Sequence, residues 1–213
     1  LAFLRQHRLG GILADDMGLG KTVQVLALLA QAIAEHEQRA DHTEFAPFLV
    51  VAPTSVVGNW AQEAARFVPG AKVVTITEST GKSGTSIAEL VQGAHLVLTS
   101  YALFRLDEDG YTEFGNHIPE NAEKSTSPHA GWGALILDEA QFVKNTKTRA
   151  WKVARALNAQ VKLAITGTPM ENNLMELWAL LAIVADGLFP SARIFRDLYA
   201  RPAESGEDPQ VIE

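Results

Sequence analysis

The chain of 213 residues lacks cysteine, which excludes both a disulfide framework and a cysteine-based zinc site. It also lacks any run of about 18 uncharged apolar residues, the length that a membrane-spanning helix needs. No basic segment followed by an apolar stretch opens the chain, so no secretory leader is predicted and we expect a cytoplasmic protein without a membrane partner. Because the chain begins at Leu1, inside a helix-like segment, we expect it to be part of a longer protein.

A surplus of basic residues is also missing. The 25 acidic residues outnumber the 18 basic ones and give a net charge of −7, which weighs against a nucleic-acid partner. The acids are clustered, however. Six of them lie with a single lysine in residues 107–130, and four lie without any base in the last ten residues. The remaining body carries a small positive surplus, so a local basic patch stays compatible with the composition.

Short apolar runs alternate along the chain with segments of helical periodicity. The strand-like runs cover residues 11–14, 48–52, 72–76, 96–99, 134–137 and 162–166. The helix-like segments cover residues 22–37, 55–67, 86–92, 148–157 and 174–184. The strand-like runs are mostly continuous rather than alternating, which is typical of parallel strands buried on both faces. This order predicts an α/β fold with a doubly wound, mostly parallel sheet flanked by helices.

Residues 107–130 lack this periodicity and contain glycine, proline, serine and asparagine. We expect them to form a surface insertion loop within one lobe that spans residues 1–202. Residues 203–213 are then expected to form an acidic tail or the start of a linker.

The glycine-rich segment Gly18-Leu19-Gly20-Lys21-Thr22 lies between the first strand-like run and a helix-like stretch. This order directs the backbone N–H groups of a turn and of a helix N-terminus at one point, where phosphates bind. Lys21 would reach the β- and γ-phosphates of a nucleotide, and the Thr22 hydroxyl would bind Mg²⁺. One feature departs from the usual phosphate-binding loop, because Asp15 stands where the first glycine is expected. The alternative is a plain strand-to-helix turn.

An acidic pair, Asp138-Glu139, directly follows the apolar run 134–137. Ligands of open α/β sheets bind at the carboxyl ends of the strands, and this pair would lie there. Asp138 would hold Mg²⁺ and Glu139 would act as general base on the attacking water. Alone, the pair could equally be solvated and idle; an upstream phosphate loop favours the catalytic interpretation.

Three further segments also follow strand-like runs. Thr166-Gly167-Thr168-Pro169 offers hydroxyls that could sense a γ-phosphate or touch a partner's phosphate, or it forms a simple turn. In Pro53-Thr54-Ser55, Thr54 or Ser55 is a plausible helix N-cap, and the free N–H groups at that helix start could hold a nucleic-acid phosphate. Ser100-Tyr101 carries the same two alternatives.

Taken together, these segments resemble the first motor lobe of the Swi/Snf family of ATPases, in helicase superfamily two. The matching motifs occur in the family's order as residues 15–22, 52–60, 98–101, 138–145 and 166–178. In this family an acidic residue replaces the first glycine of the phosphate loop, so Asp15 fits the pattern. The Phe142–Asn145 stretch, Phe-Val-Lys-Asn, is similar to that of bacterial members.

The resemblance implies a RecA-like P-loop lobe that uses ATP and Mg²⁺ and moves along double-stranded DNA at the nucleoid. It implies catalytic roles for Lys21, Asp138, Glu139 and Gln141, with Gln141 linking the nucleotide to the segment at Thr166. The cofactor-binding residues it implies are Asp16, Met17, Gly18, Leu19, Gly20, Lys21 and Thr22, with Thr22 and Asp138 holding the metal. The DNA-side residues it implies are Pro53, Thr54, Ser55, Asn59, Ser100, Tyr101, Lys144, Thr166, Gly167 and Thr168.

Two parts of the family pattern are missing from these residues. The adenine-recognising glutamine motif is not found before Leu9, and a second RecA-like lobe with its arginine finger does not follow Pro202. An arginine finger supplies a rate factor of about 10³–10⁵, so we expect this chain alone to bind nucleotide weakly and to hydrolyse it hardly at all. An RNA helicase of the same superfamily and a catalytically inert nucleotide-binding scaffold remain the alternatives.

Overall fold

A computed structural model describes residues 1–16, 18–39, 44–116, 131–169 and 173–205. Its centre is a six-stranded sheet in the order β1-β6-β5-β2-β4-β3, in which every neighbouring pair is parallel. The strands are β1 Gly11–Leu13, β2 Phe48–Ala52, β3 Val73–Thr75, β4 Leu96–Ser100, β5 Ala134–Leu137 and β6 Lys162–Ile165. All six predicted strands are confirmed, with ends shifted by one residue at most.

The helices of the described residues connect and flank these strands. They are α1 Ala2–Gln6, α2 Lys21–Glu37, α3 Thr54–Phe67, α4 Thr80–Ser83, α5 Ile87–Val91, α6 Tyr101–Leu106, α7 Glu108–Asn116, α8 Arg149–Ala156, α9 Leu174–Val184, α10 Ala192–Phe195 and α11 Arg201–Ser205. A 3₁₀ turn covers Ala140–Val143 and a π-helical turn covers Arg196–Ala200. None of the described helices is both long and apolar enough to cross a bilayer.

Alternate strand residues point to opposite faces of the sheet, and both faces are covered. Phe48, Val50 and Ala52 of β2 belong to the apolar layer beneath α2 and α3. Leu49 and Val51 belong to the other layer, which packs beneath α5 to α9. The central strands β2, β4 and β5 are buried throughout, which explains why their sequences are continuously apolar.

The expectation of a surface loop over residues 107–130 is wrong for residues 108–116, because these residues form helix α7. Tyr111 of this helix is fully buried, and its hydroxyl donates to Thr99 Oγ1 at 2.9 Å. Two of the six acids in residues 107–130 have protein partners. Asp107 accepts hydrogen bonds from the backbone N–H and hydroxyl of Thr80, and Glu108 forms a two-point ion pair with Arg149. Residues 117–130 lie outside the described residues, as does the tail from 206 onward.

Candidate nucleotide-binding site

The predicted motifs all follow the carboxyl ends of parallel strands, so they meet along one edge of the sheet. Strand β6 lies between β1 and β5, with Ile165 opposite Leu13 and Ala164 opposite Leu137. The phosphate loop after β1, the threonine segment after β6 and the acidic pair after β5 are therefore adjacent. The segments after β2 and β4 continue the same edge, away from the phosphate loop.

The phosphate loop makes a turn that glycine permits at two places. Gly18 has φ +85° and Gly20 has φ +71°, both in the left-handed region that residues with a Cβ rarely adopt. Helix α2 begins at Lys21, directly after Gly20, and its N-terminus opens onto the loop. Leu19 is exposed at the turn, and Met17 lies outside the described residues. The predicted strand–loop–helix arrangement is confirmed.

Two side chains of α2 hold the phosphate loop in place by hydrogen bonds. The Lys21 ammonium donates to the carbonyl oxygens of Asp15 at 2.6 Å and Asp16 at 2.9 Å. The Gln24 amide donates to Asp15 Oδ2 at 3.1 Å and to the Leu19 carbonyl at 3.3 Å. The unusual Asp15 is thus held through both its backbone and its carboxylate, which ties the two ends of the loop to one helical turn.

Asp138 is almost fully buried at the end of β5, with 9% of its surface exposed. Its Oδ2 accepts the indole N–H of Trp60 at 2.7 Å, and its Oδ1 accepts the backbone N–H of Glu139 at 2.9 Å. Burial raises the pKa of this carboxyl, while these two hydrogen bonds and the positive charge of Lys21 act in the opposite direction. In the sheet order, the strand before Asp138 is separated from the strand before the Lys21 loop by β6 alone.

Glu139 adopts a left-handed backbone, φ +49° and ψ +57°, which is uncommon for a residue with a side chain. It caps the 3₁₀ turn Ala140–Val143. Its Oε2 accepts a hydrogen bond from the Gln141 amide at 2.9 Å. Gln141 thus contacts Glu139 in this structure, whereas the resemblance implied a link to the segment at Thr166.

The threonine segment after β6 is anchored by its first residue. Thr166 is buried, its backbone N–H donates to the Leu13 carbonyl, and its Oγ1 accepts the N–H of Thr168 at 3.1 Å. Gly167 is partly exposed and Thr168 is exposed. Thr166 thus shapes a turn that presents Gly167 and Thr168 outward. Glu171 and Asn172 of the extended motif lie outside the described residues.

The segment after β2 forms the start of α3. Pro53 occupies the N-cap position, and no side chain caps the helix. The expectation that Thr54 or Ser55 is the N-cap is therefore wrong, because both lie inside the first turn with exposed side chains. Asn59 is also exposed, one turn further along. The N–H groups of Val56 and Val57 donate to the Pro53 carbonyl, so the exposed hydroxyls and the first two backbone N–H groups, at Thr54 and Ser55, are the donors that a ligand could meet here.

In the segment after β4, both predicted side chains have protein partners. Ser100 caps α6, since its hydroxyl accepts the N–H of Leu103 at 3.3 Å. The ring of Tyr101 is buried, stacks on Phe142 and donates its hydroxyl to the Asp138 carbonyl at 2.9 Å. Burial beside two carboxylates raises the pKa of Tyr101 well above its ordinary value.

Lys144 was predicted on the DNA side, and the structure places its side chain in the interior. Only 7% of that side chain is exposed, and its ammonium lies 3.3 Å from Glu176 Oε2, itself 16% exposed. The ion pair ties the end of the 3₁₀ turn to the first turn of α9, where Asn173 provides the N-cap. The electrostatic contact is internal to the protein.

Two residues of the site were missed by sequence reasoning, Gln24 and the indole of Trp60. Gln24 lies one turn after Lys21 on the same helix, so helical spacing could have placed it under the loop. Trp60 lies 78 residues from its partner Asp138, and no local pattern signals such a contact.

A parallel sheet with a glycine turn, a lysine at the start of the following helix and an acidic pair two strands away, of which Asp138 is buried, defines a RecA-like P-loop lobe. The family model described as "SNF2-related domain" matches residues 1–213, and the chain belongs to that family.

Named relatives and solved structures agree with this assignment. The chain is 34% identical to the putative ATP-dependent helicase/translocase YwqA of Bacillus subtilis, over 100% of this chain and 21% of the relative. It is 36% identical to the chromatin-remodelling ATPase INO80 of Cryptococcus neoformans, over 96% of this chain and 11% of the relative. The SWI2/SNF2 ATPase core of Sulfolobus solfataricus, solved in complex with double-stranded DNA, superposes with a TM-score of 0.76 at 30% identity. That superposition covers 97% of this chain and 38% of the other, so the chain spans a minor part of each relative it matches.

Proposed function

We propose that this lobe binds ATP with Mg²⁺ at the edge between α2 and Asp138. The observation that carries the proposal is the sheet order, in which only β6 separates the strand before the Gly18–Thr22 loop from the strand before the buried Asp138. Backbone N–H groups of Gly18 to Thr22 would surround the β- and γ-phosphates, and Lys21 would leave its two loop carbonyls to reach them. Thr22 and Asp138 would hold the metal, which would neutralise charge on the phosphates.

Glu139 would act as general base. It directly follows Asp138 with a left-handed backbone, and the amide of Gln141 donates a hydrogen bond to one of its carboxylate oxygens. A carboxylate held in one position orients an attacking water better than a freely rotating one. We therefore assign Gln141 the task of holding Glu139 in place, in addition to any contact with a second lobe.

We infer that the same edge meets double-stranded DNA through its phosphates. The exposed hydroxyls of Thr54 and Ser55, which follow Pro53 at the start of α3, and the exposed Asn59 amide provide neutral donors suited to phosphate oxygens. The turn at Gly167–Thr168 lies at the same edge of the sheet. The Sulfolobus core, solved with double-stranded DNA, supports duplex DNA as the partner. Hydrolysis would need an arginine from a second RecA-like lobe of the longer protein, which would act in the cytoplasm at the nucleoid.

An ATPase assay on the longer protein, with both lobes, tests this function. Duplex DNA, single-stranded DNA and RNA are each offered as activator at equal nucleotide concentration. We expect duplex DNA to stimulate hydrolysis most. Stimulation by RNA alone would contradict the DNA assignment, and no hydrolysis under any condition would indicate an inert nucleotide-binding module.

A further inference from the structure

The four tryptophans of this chain are all buried, and each indole N–H donates a hydrogen bond. Three of them donate to backbone carbonyls: Trp132 to Tyr111, Trp151 to Ala179 and Trp178 to Phe189. Trp60 alone of the four donates to a carboxylate, Asp138 Oδ2, at 2.7 Å. A backbone carbonyl is enough to satisfy the N–H of a buried indole, so the need for a hydrogen-bond partner does not by itself explain why Trp60 contacts a carboxylate.

This hydrogen bond is short, and both of its partners are buried. Trp60 is 1% exposed, and the carboxylate it contacts is itself buried. Hydrogen bonds with an ionised partner are shorter and stronger than neutral ones, and burial strengthens them further. The indole therefore fixes the orientation of the Asp138 carboxylate about its own axis, together with the Glu139 N–H on the other oxygen.

A second side chain holds the backbone of the same residue. The Tyr101 hydroxyl donates to the Asp138 carbonyl at 2.9 Å, and the ring is held in place by stacking on Phe142 at 5.1 Å. Trp60 lies in the middle of α3 and Tyr101 is the first residue of α6, so each of the two helices that follow β2 and β4 contributes one donor to Asp138. Each donor directly follows a residue predicted to face DNA, Asn59 or Ser100.

We propose that Trp60 and Tyr101 are positioning residues that hold Asp138 as a metal ligand and make the metal site depend on the placement of α3 and α6. The proposal rests on the proposed function, because it assumes that Asp138 holds Mg²⁺. Residues that orient a metal-binding carboxylate typically change metal affinity by about 10–100-fold when they are replaced. A displacement of α3 or α6 by a partner on the outer side would be transmitted to the metal through these two hydrogen bonds.

The test compares binding of a fluorescent ATP analogue, mant-ATP, to the 213-residue chain in Mg²⁺ and in EDTA. For Trp60→Phe, we expect the strengthening of binding by Mg²⁺ to fall by about tenfold or more, while affinity in EDTA stays within about twofold. Tyr101→Phe keeps the stacked ring and removes the hydroxyl, and we expect the same change at smaller size. Trp178→Phe and Tyr111→Phe are the matched controls, since each removes the same donor from a partner outside the site.

Three results would overturn the inference. The first is that Trp60→Phe and Tyr101→Phe keep the wild-type dependence of binding on Mg²⁺. The second is a loss of affinity by either variant that is equal in Mg²⁺ and in EDTA, which would indicate a purely structural role. The third is that the wild-type chain binds no nucleotide at all, which contradicts the proposed function and with it this inference. The wild-type titration alone separates this result from the other two.

Discussion

Replacing Tyr111 with alanine is expected to destabilise the lobe strongly, because this residue belongs to the core. Its ring is fully buried and packs near Phe104 and Trp132. Truncation of a large buried aromatic side chain costs about 3–5 kcal/mol. For a domain of this size that corresponds to a fall in unfolding temperature of about 6–20 °C.

Tyr111→Phe separates the contribution of the ring from that of the hydroxyl. This variant loses only the hydrogen bond to Thr99 Oγ1, so its cost should be about 1 kcal/mol. Both variants are measured by urea unfolding followed by far-UV circular dichroism, with the slope of the transition checked for two-state behaviour.

Two deletions extend the test to the whole segment. Gly115 and Gly131 approach so closely that a Cβ on Gly131 would lie 2.4 Å from the Gly115 carbonyl oxygen. A short glycine-serine linker can therefore replace 117–130, and we expect cooperative unfolding to remain. Deletion of 110–130 removes Tyr111 and should abolish that cooperativity. The reasoning is refuted if Tyr111→Ala costs less than about 1 kcal/mol or if the longer deletion unfolds like the wild type.

Three further predictions concern charged residues. Lys144→Ala should lower the free energy of unfolding by about 1–3 kcal/mol, since it removes the charged partner of the largely buried Glu176 carboxylate. The double alanine variant should cost less than the sum of the two single variants; loss of DNA affinity at unchanged stability would instead support a DNA contact. Burial lowers the pKa of Lys162 to about 8, so above that pH the unfolded chain binds more protons than the folded chain. The free energy of unfolding should therefore rise by up to about 2 kcal/mol between pH 7.5 and 9.5, relative to the Lys162→Met variant. Equal pH slopes for the two proteins in urea unfolding would refute this. In the longer protein, Glu139→Gln should keep ATP affinity and abolish turnover, and retained turnover would remove Glu139 from the role of base.

The strands and the motifs after them could be predicted because both depend on local order in the chain. A buried parallel strand must be apolar on both faces, and the phosphate loop needs glycines directly before a lysine-headed helix. Each of these constraints involves only about ten consecutive residues. They are enough to predict that the motifs lie at one edge of the sheet, and no side-chain contact has to be known.

Helix α7 could not be predicted because its glycines suggest a loop. A Cβ on Gly110 would lie 2.8 Å from Ile87 Cγ1, and one on Gly115 would lie 2.8 Å from the Asn158 carbonyl oxygen. The glycines allow close packing of the helix against its neighbours, and that packing outweighs their poor helix propensity. Such a reason is visible only in three dimensions.

The long-range contacts of the site could not be predicted from the sequence either, for a related reason. A lysine in a polar stretch is usually exposed, yet Lys144 meets an acid 32 residues further along the chain, on α9. In the sequence, Trp60 is only the last residue of the 52–60 motif, whereas its buried ring contacts the carboxylate that we assign to the metal. Both pairs join distant segments, so the fold has to be known before they can be seen.

The central claim is that the loop at Gly18–Thr22 and Asp138 form one nucleotide site. Its most direct test is the dissociation constant of mant-ATP with Mg²⁺ for the wild-type chain, Lys21→Ala and the surface control Lys152→Ala. We predict measurable binding by the wild type, a loss of about 10–100-fold in Lys21→Ala from removal of a charged hydrogen-bonding partner of the phosphates, and no change in Lys152→Ala. Equal affinities for all three proteins would contradict the account.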